Sequence, residues 1–396
     1  MDKDAFRQVV SDNLVPMLQA TLLADDVAST PRERLVAYLN PIRLAVKPTR
    51  DAGYRLVLAR SQKFTSGEKR LAGHFIDELA TVVAFDAGEY QSDLLRAVQR
   101  RVVAEDLGGG SPLLSILERL ETWSSQTYEG QRIVAAIGLD GAPAGTGISL
   151  DELWEEPFGP VMSNGFDTLL VAGSDGQISG SLQLSTGQLS SQAPYRMGEL
   201  ACWASDGRIV AVLNQRGEVL VFQRQSLRFA RRDGRWHHYV HETNISRMSP
   251  PVAPELRRAI YESCLDVSFA RSGGGIGVVT HEHRAEVAAI VSADDLLAEP
   301  ATFKARLLSR VVGGRTFQGL DRRNRAELLA LDGAMVLAHT GAILAAGAIV
   351  DVPAGSAGGG GRTAAARKLS TLGLGVKVSQ DGSITAYRNG DRIFRS

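Results

Sequence analysis

The chain has 396 residues, 44% hydrophobic and 22% charged, a balance that suits a folded globular protein with two or three cores. Its 44 Lys and Arg offset 44 Asp and Glu, so the formal net charge is zero. That balance excludes a broad basic face for a nucleic-acid backbone, and nucleic acid is not a predicted partner. Residues 1–130 read as a mostly helical domain. Thr30-Pro31-Arg32-Glu33 has the pattern of a capping box ahead of Leu35, Val36 and Leu39, which predicts a helix start. Leu71, Phe75, Ile76, Leu79 and Val82 are spaced for a second helix, opened by residues 64–68, and Leu94, Val98 and Val102 for a third. Gly108-Gly109-Gly110-Ser111-Pro112 breaks the pattern, and residues 113–123 predict a fourth.

Residues 131–250 read as a β-rich antiparallel domain. Strands are predicted at 132–137 and 168–172. A meander follows at 209–213, 219–222, 227–231 and 236–240, with turns at Arg216-Gly217 and Asp233-Gly234. Residues 251–396 alternate in type. Helix 254–269 leads through Gly273-Gly274-Gly275 to strand 276–280, then a partly helical stretch at 293–312 and helix 322–331. Strands 334–337 and 343–350, helix 362–371 and strands 376–378 and 384–387 complete the domain. This order predicts an α/β (α+β) fold, a mixed β-sheet covered by helices.

Candidate chemistry concentrates after residue 331. Asp332 lies between a helix end and a strand, followed by Gly333 and Ala334, small residues that let a ligand approach the backbone. A carboxylate there can bind Mg²⁺ or accept a sugar hydroxyl, although Asp-Gly is equally a plain turn. Gly358 to Gly361 precede a helix whose N–H groups and dipole favour an anion. Arg362 adds a fork of donors and Thr363 a hydroxyl. The same glycines also fit a flexible linker, and no Walker-type or G-x-G-x-x-G pattern decides between them. Together Asp332, Gly333, Ala334, Gly360, Gly361, Arg362 and Thr363 form the predicted nucleotide-binding set.

Other groups carry less. His281-Glu282-His283 and His237-His238 with His241 lack the companions of a known zinc site and read as solvated strand-end histidines. Arg231-Arg232 and Arg322-Arg323 read as solvated faces. Cys202 and Cys264 read as buried reduced thiols, and no G-x-S-x-G elbow is present. The apolar stretch 334–350 is interrupted by His339, Thr340, Gly341 and Gly347, so no membrane span is predicted. No secretory leader is signalled, and a cytoplasmic protein is expected.

In order along the chain, Gly274 to Val279, Asp332-Gly333-Ala334, Gly361-Arg362-Thr363-Ala364-Ala365 and Val376-Lys377-Val378-Ser379 through Ile384 resemble the diadenylate cyclase (DisA_N-type) domain. The resemblance covers about residue 251 to the end. It implies that Asp332 orients a ribose hydroxyl and, if the site is active, holds Mg²⁺ or Mn²⁺ as a catalytic residue. It also implies that Arg362 holds ATP phosphates, and that two domains meet so that two ATP molecules condense into cyclic di-AMP. Thr363 and Ala364 stand where that family has histidine and a second arginine. Arg367 and Lys368 lie further along the helix and would point elsewhere. The pattern is similar to the divergent, sensor-like (DACNV-type) branch associated with nucleotide signalling and defence. Three readings follow: a homo-oligomeric sensor binding ATP or a cyclic dinucleotide without further cofactor, an active cyclase, or a structural oligomer with a degenerate site.

Overall fold

The computed structural model describes the chain apart from residues 1, 32, 84–90, 186, 188, 250–251 and 353–359. It is of mixed α/β class, as the sequence predicts. The chain divides into two compact units, residues 1–190 with 196–239, and 191–195 with 240–396.

In the first unit the helix expected at residue 30 is a sheet. Glu33 does fold back, accepting from the Thr30 N–H at 2.9 Å and the Ser29 hydroxyl at 2.6 Å. The chain then leaves extended, because Val36–Asn40 pairs with Arg43–Val46, which pairs with Tyr54–Ala59. Burying Val36, Leu44, Val46, Leu56 and Leu58 on this sheet outweighs a local capping signal. The helices Ser66–Val83, Gln91–Leu107 and Gly110–Trp123 form as expected. An eight-stranded sheet holds the predicted meander. Phe6, Leu117, Ile137, Val221 and Trp236 share one hydrophobic core, so the boundary expected near residue 130 falls inside a single packed body.

The second unit is built on a six-stranded sheet. Helices α1 (His241–Arg247) and α2 (Pro254–Ala270) precede β1 (Gly274–Val279). Next come α3 (Phe303–Val312), α4 (Arg322–Leu329), β2 (Ala334–Ala338) and β3 (Ile343–Ala348). Helix α5 (Gly361–Ser370) leads into β4 (Gly373–Val378), β5 (Ile384–Arg388) and β6 (Asp391–Arg395). The strand order is β3-β2-β1-β4-β5-β6, with β1 and β2 parallel and the other neighbours antiparallel. Strand β6 is not among the predicted elements, although its turn is. Asn389 and Gly390 take φ of 50° and 81°, the paired left-handed conformation of a two-residue hairpin.

Helix α5 lies directly on β1 and β4. A Cβ on Gly375 would come within 1.9 Å of the Ala366 carbonyl oxygen, and one on Gly277 within 2.8 Å of the Leu369 side chain. Any larger residue at either place would lift the helix. The Gly375→Ala variant is expected to lose about 3 kcal/mol of stability in urea unfolding, with α5 displaced. Gly73, inside the Ser66–Val83 helix, has nothing within 4 Å of such a Cβ. Gly73→Ala should gain about 0.5–1 kcal/mol in the same assay, because alanine favours a helix interior.

Candidate functional site

The parallel register that sets Ile276 against Met335 brings the starts of β1 and β2 level. Antiparallel pairing of Gly274 with Val378 adds the end of β4 to the same edge. Arg362, in the first turn of α5, completes the group. Gly273 has φ of 71°, and a Cβ there would lie 2.9 Å from Arg362 Nη1. A guanidinium therefore rests where only glycine leaves room. Its Nη2 is 3.8 Å from Asp332 Oδ1, while its Nε is buried without a hydrogen-bond partner among the described residues.

Asp332 is 97% exposed at the side chain and accepts one hydrogen bond, from the Gly333 N–H at 3.1 Å. Gly333 has a reason of its own. With φ of 100°, a Cβ would collide with the Gly347 carbonyl carbon at 2.6 Å. The Ala334 side chain is buried in the core. Opposite them, Lys304 binds the Asp295 carboxylate at 2.6 Å and the Gly347 carbonyl, and Asp295 accepts from the Ile349 N–H at 3.1 Å. This brace fixes the end of β3. Asp332 thus stands on a rigid edge with its carboxylate turned to solvent.

Gly360 is the N-cap of α5 and has no side chain with which to cap it, and its carbonyl already accepts from the Thr363 N–H at 2.8 Å, so the N–H groups that this helix start could offer a ligand are those of Gly361 and Arg362. Gly358 and Gly359 lie outside the described residues. Gly361 and Ala364 form one wall of a cavity of about 690 Å³, closed by Ile290–Ser292 and Ile349–Val352. Its walls mix aliphatic side chains with polar backbone, Ser292 and one carboxylate, Asp351. No motif announced Asp351, because it follows a strand with no pattern around it.

Thr363 faces elsewhere. Successive helix residues turn by about 100°, so Thr363 and Arg367 share a side that Gly361 and Ala364 do not. Thr363 and Arg367 line a second cavity of about 450 Å³ over β4, β5 and β6. Arg367 lies above the Tyr387 ring at 5.5 Å, so it points away from Asp332, as expected. The signal for this cavity was present in the alternation of Lys377 with Ser379 and Thr385 with Tyr387, polar side chains on a covered face. The structure therefore brings Asp332 and Arg362 together, places Gly361 on the first cavity and turns Thr363 to the second.

Among the described residues no group of three or more His, Cys, Asp or Glu is placed to hold a metal ion. Asp332 offers a single carboxylate. Mg²⁺ takes one or two protein carboxylates when phosphates supply its other ligands, so a metal would have to arrive with a nucleotide. Two expectations of solvated groups are overturned. His238 and His241 are buried, the first against Phe229 at 4.9 Å and the second 3.0 Å from the Tyr261 hydroxyl. Arg232 is buried in a 2.9 Å pair with Glu218. Arg322 binds both oxygens of Asp266 at 2.8 Å, and Asp266 also accepts from the Tyr195 N–H. His241, Arg232 and Arg322 turn inward where a hydrogen-bonding or charged partner waits, and His238 packs its ring against Phe229. Cys202 and Cys264 are free thiols, and burial pushes both pKa values up, which disfavours the nucleophilic thiolate. No described helix is long and apolar enough to cross a membrane.

No family model and no curated protein matches the chain. Among solved structures it is similar to a DacA double mutant from Staphylococcus aureus, at 21% identity and a TM-score of 0.22. The likeness covers 34% of this chain and 82% of that one, and it is too slight to carry function.

Asp381, at the β4–β5 turn, borders the second cavity. Burial raises its carboxyl pKa, but hydrogen bonds from the Ser383 N–H and hydroxyl, with Arg395 and Lys377 nearby, hold it below the usual value. A depressed pKa adds stability above the unfolded value, about 3.9, that is lost as the pH falls below it. The Asp381→Asn variant should therefore lose less stability than the wild type between about pH 5 and pH 3. Urea unfolding at the two pH values measures the difference.

Proposed function

We propose that the C-terminal unit binds a nucleotide or nucleotide messenger at the edge formed by Asp332, Arg362 and the start of α5, and that it reads this ligand rather than makes it. The observation that carries the reading is convergence. Gly273, Asp332, Arg362 and Val378 come from four separate segments and meet at one sheet edge, beside an uncapped helix start. Arg362 offers a partly exposed guanidinium whose forked Nη groups suit phosphate oxygens. Asp332 offers an exposed carboxylate for sugar hydroxyls. The open cavity beside Gly361 has room for a base, with aliphatic side chains and polar backbone along its walls.

Sensing is favoured over synthesis by what surrounds Arg362. Thr363 turns to the other cavity and Ala364 has no donor, so one arginine and backbone N–H groups would bear a triphosphate. Fixed donors that stabilise charge in a transition state each contribute roughly 3–4 kcal/mol, and this edge has few. The second reading, an active cyclase, rests on the exposed Asp332 carboxylate. There Mg²⁺ or Mn²⁺ would supply charge neutralisation for the phosphates, Asp332 would hold it, and two copies of the unit would have to face each other.

Calorimetry with ATP and with cyclic di-AMP tests the proposal. Binding is expected to weaken by about tenfold or more in Arg362→Ala, the loss of a charge-assisted contact. Binding indifferent to that change, or absent for every nucleotide tried, would overturn it. Incubation with ATP and Mg²⁺ or Mn²⁺ should give no cyclic dinucleotide. Product that disappears in Asp332→Asn would establish the cyclase instead.

A further inference from the structure

We infer that the cavity over β4, β5 and β6 is a binding site for a small, multiply charged oxyanion, a phosphomonoester or diphosphate group, separate from the Asp332–Arg362 edge. The strand register builds it. Lys377 pairs with Thr385, and Thr385 pairs with Arg395, so these three side chains stand in one row across three strands. Tyr387 pairs with Gly375 on one side and Arg392 on the other, forming the adjacent row on the same face. Arg392 and Arg395 are three residues apart and would point to opposite faces of a regular strand. The register shift between Ala386 and Tyr387 leaves Ile393 as an extra residue, and both arginines face the cavity.

The cavity has a cationic rim and a hydroxyl floor. Arg367 from α5, Arg392 and Arg395 are exposed at the rim, and Lys377 is half-buried below them. Asp381 is the single carboxylate among the lining residues and is engaged by Ser383. Asp381 also lies 3.9 Å from Arg395, yet the lining residues carry four cations to this one carboxylate, a surplus of positive charge that an anion would offset. The second observation lies at the floor. Thr363 is 6% exposed, yet its Oγ1 has no hydrogen-bond partner among the described residues. A buried hydroxyl left unpaired carries a desolvation cost that a ligand oxygen removes. Lysine and arginines around a hydroxyl floor match phosphate, whose several oxygens accept from both kinds of donor. The enclosed floor and the volume favour a small phosphate group over a polymer.

This site stands independently of the nucleotide reading, and one set of titrations separates the two. Inorganic phosphate, pyrophosphate and ATP are each titrated into the full chain and followed by calorimetry. Pyrophosphate should bind more tightly than phosphate and weaken with added salt. Lys377→Gln and Arg395→Gln should each weaken pyrophosphate by about tenfold, and Thr363→Val, which keeps the side-chain shape, by about threefold or more. Thermal unfolding of each variant confirms the fold, and ATP affinity should be unchanged in Lys377→Gln. No binding of either anion at millimolar concentration, or binding untouched by all three substitutions, would overturn the site. Parallel loss of ATP and pyrophosphate binding would overturn its separateness, since the nucleotide's own phosphates would then occupy it.

Discussion

The C-terminal unit depends on how closely α5 approaches the sheet. Gly277 and Gly375 present bare backbone, so Leu369 and the Ala366 carbonyl settle where a side chain would otherwise stand. Close seating fixes the helix in both height and rotation. Rotation then decides the chemistry of its first turn, because neighbouring residues leave the axis about 100° apart. Arg362 is directed to Gly273 and Asp332, Thr363 to the floor over β4 and β5, and Gly361 with Ala364 to the first cavity. A single packing contact thereby distributes one tripeptide among three environments.

Much of this architecture was legible in the sequence where local and tertiary signals agree. Pro254 at the first helical position and the apolar spacing through Phe269 gave α2 almost to the residue. The strand Thr168–Ala172 and the meander strand Ile209–Leu213 matched their predicted bounds, because β-branched runs sit between strong turns. The failures have one cause. At residue 30 the capping pattern formed locally, but long-range pairing of Val36 with Val46 took the chain into a sheet. Strand β6 was missed because Asp391-Arg392-Ile393-Phe394-Arg395 has mixed character and gains its identity from β5.

The site shows the same division. Asp332 and Arg362 could be named from residue type and their place beside turns, and they lie within reach of each other. The direction of Thr363 could not be read, since it follows from which side of α5 the glycines of the sheet receive. Lys377 looked like one charge in an alternating strand until cross-strand register aligned it with Arg395. The buried Arg322–Asp266 pair was likewise invisible, because the two residues are distant in sequence and belong to different helices.

The extra residue at Ile393 reaches further than its size suggests. Side-chain direction along a strand alternates like parity, and one added residue changes odd to even. Upstream of Ile393 the parity of β6 is set by the Asn389-Gly390 turn, and downstream by the bulge. Deleting Ile393 would restore a regular pairing with the two arginines two residues apart and still on one face, whereas keeping Ile393 but pairing the strand without the bulge would send one of them to the opposite face. The electrostatic character of this surface is therefore encoded by counting as much as by residue type. A further residue inserted between the two arginines, if the bulge did not absorb it, would turn one of them away without changing a single charge.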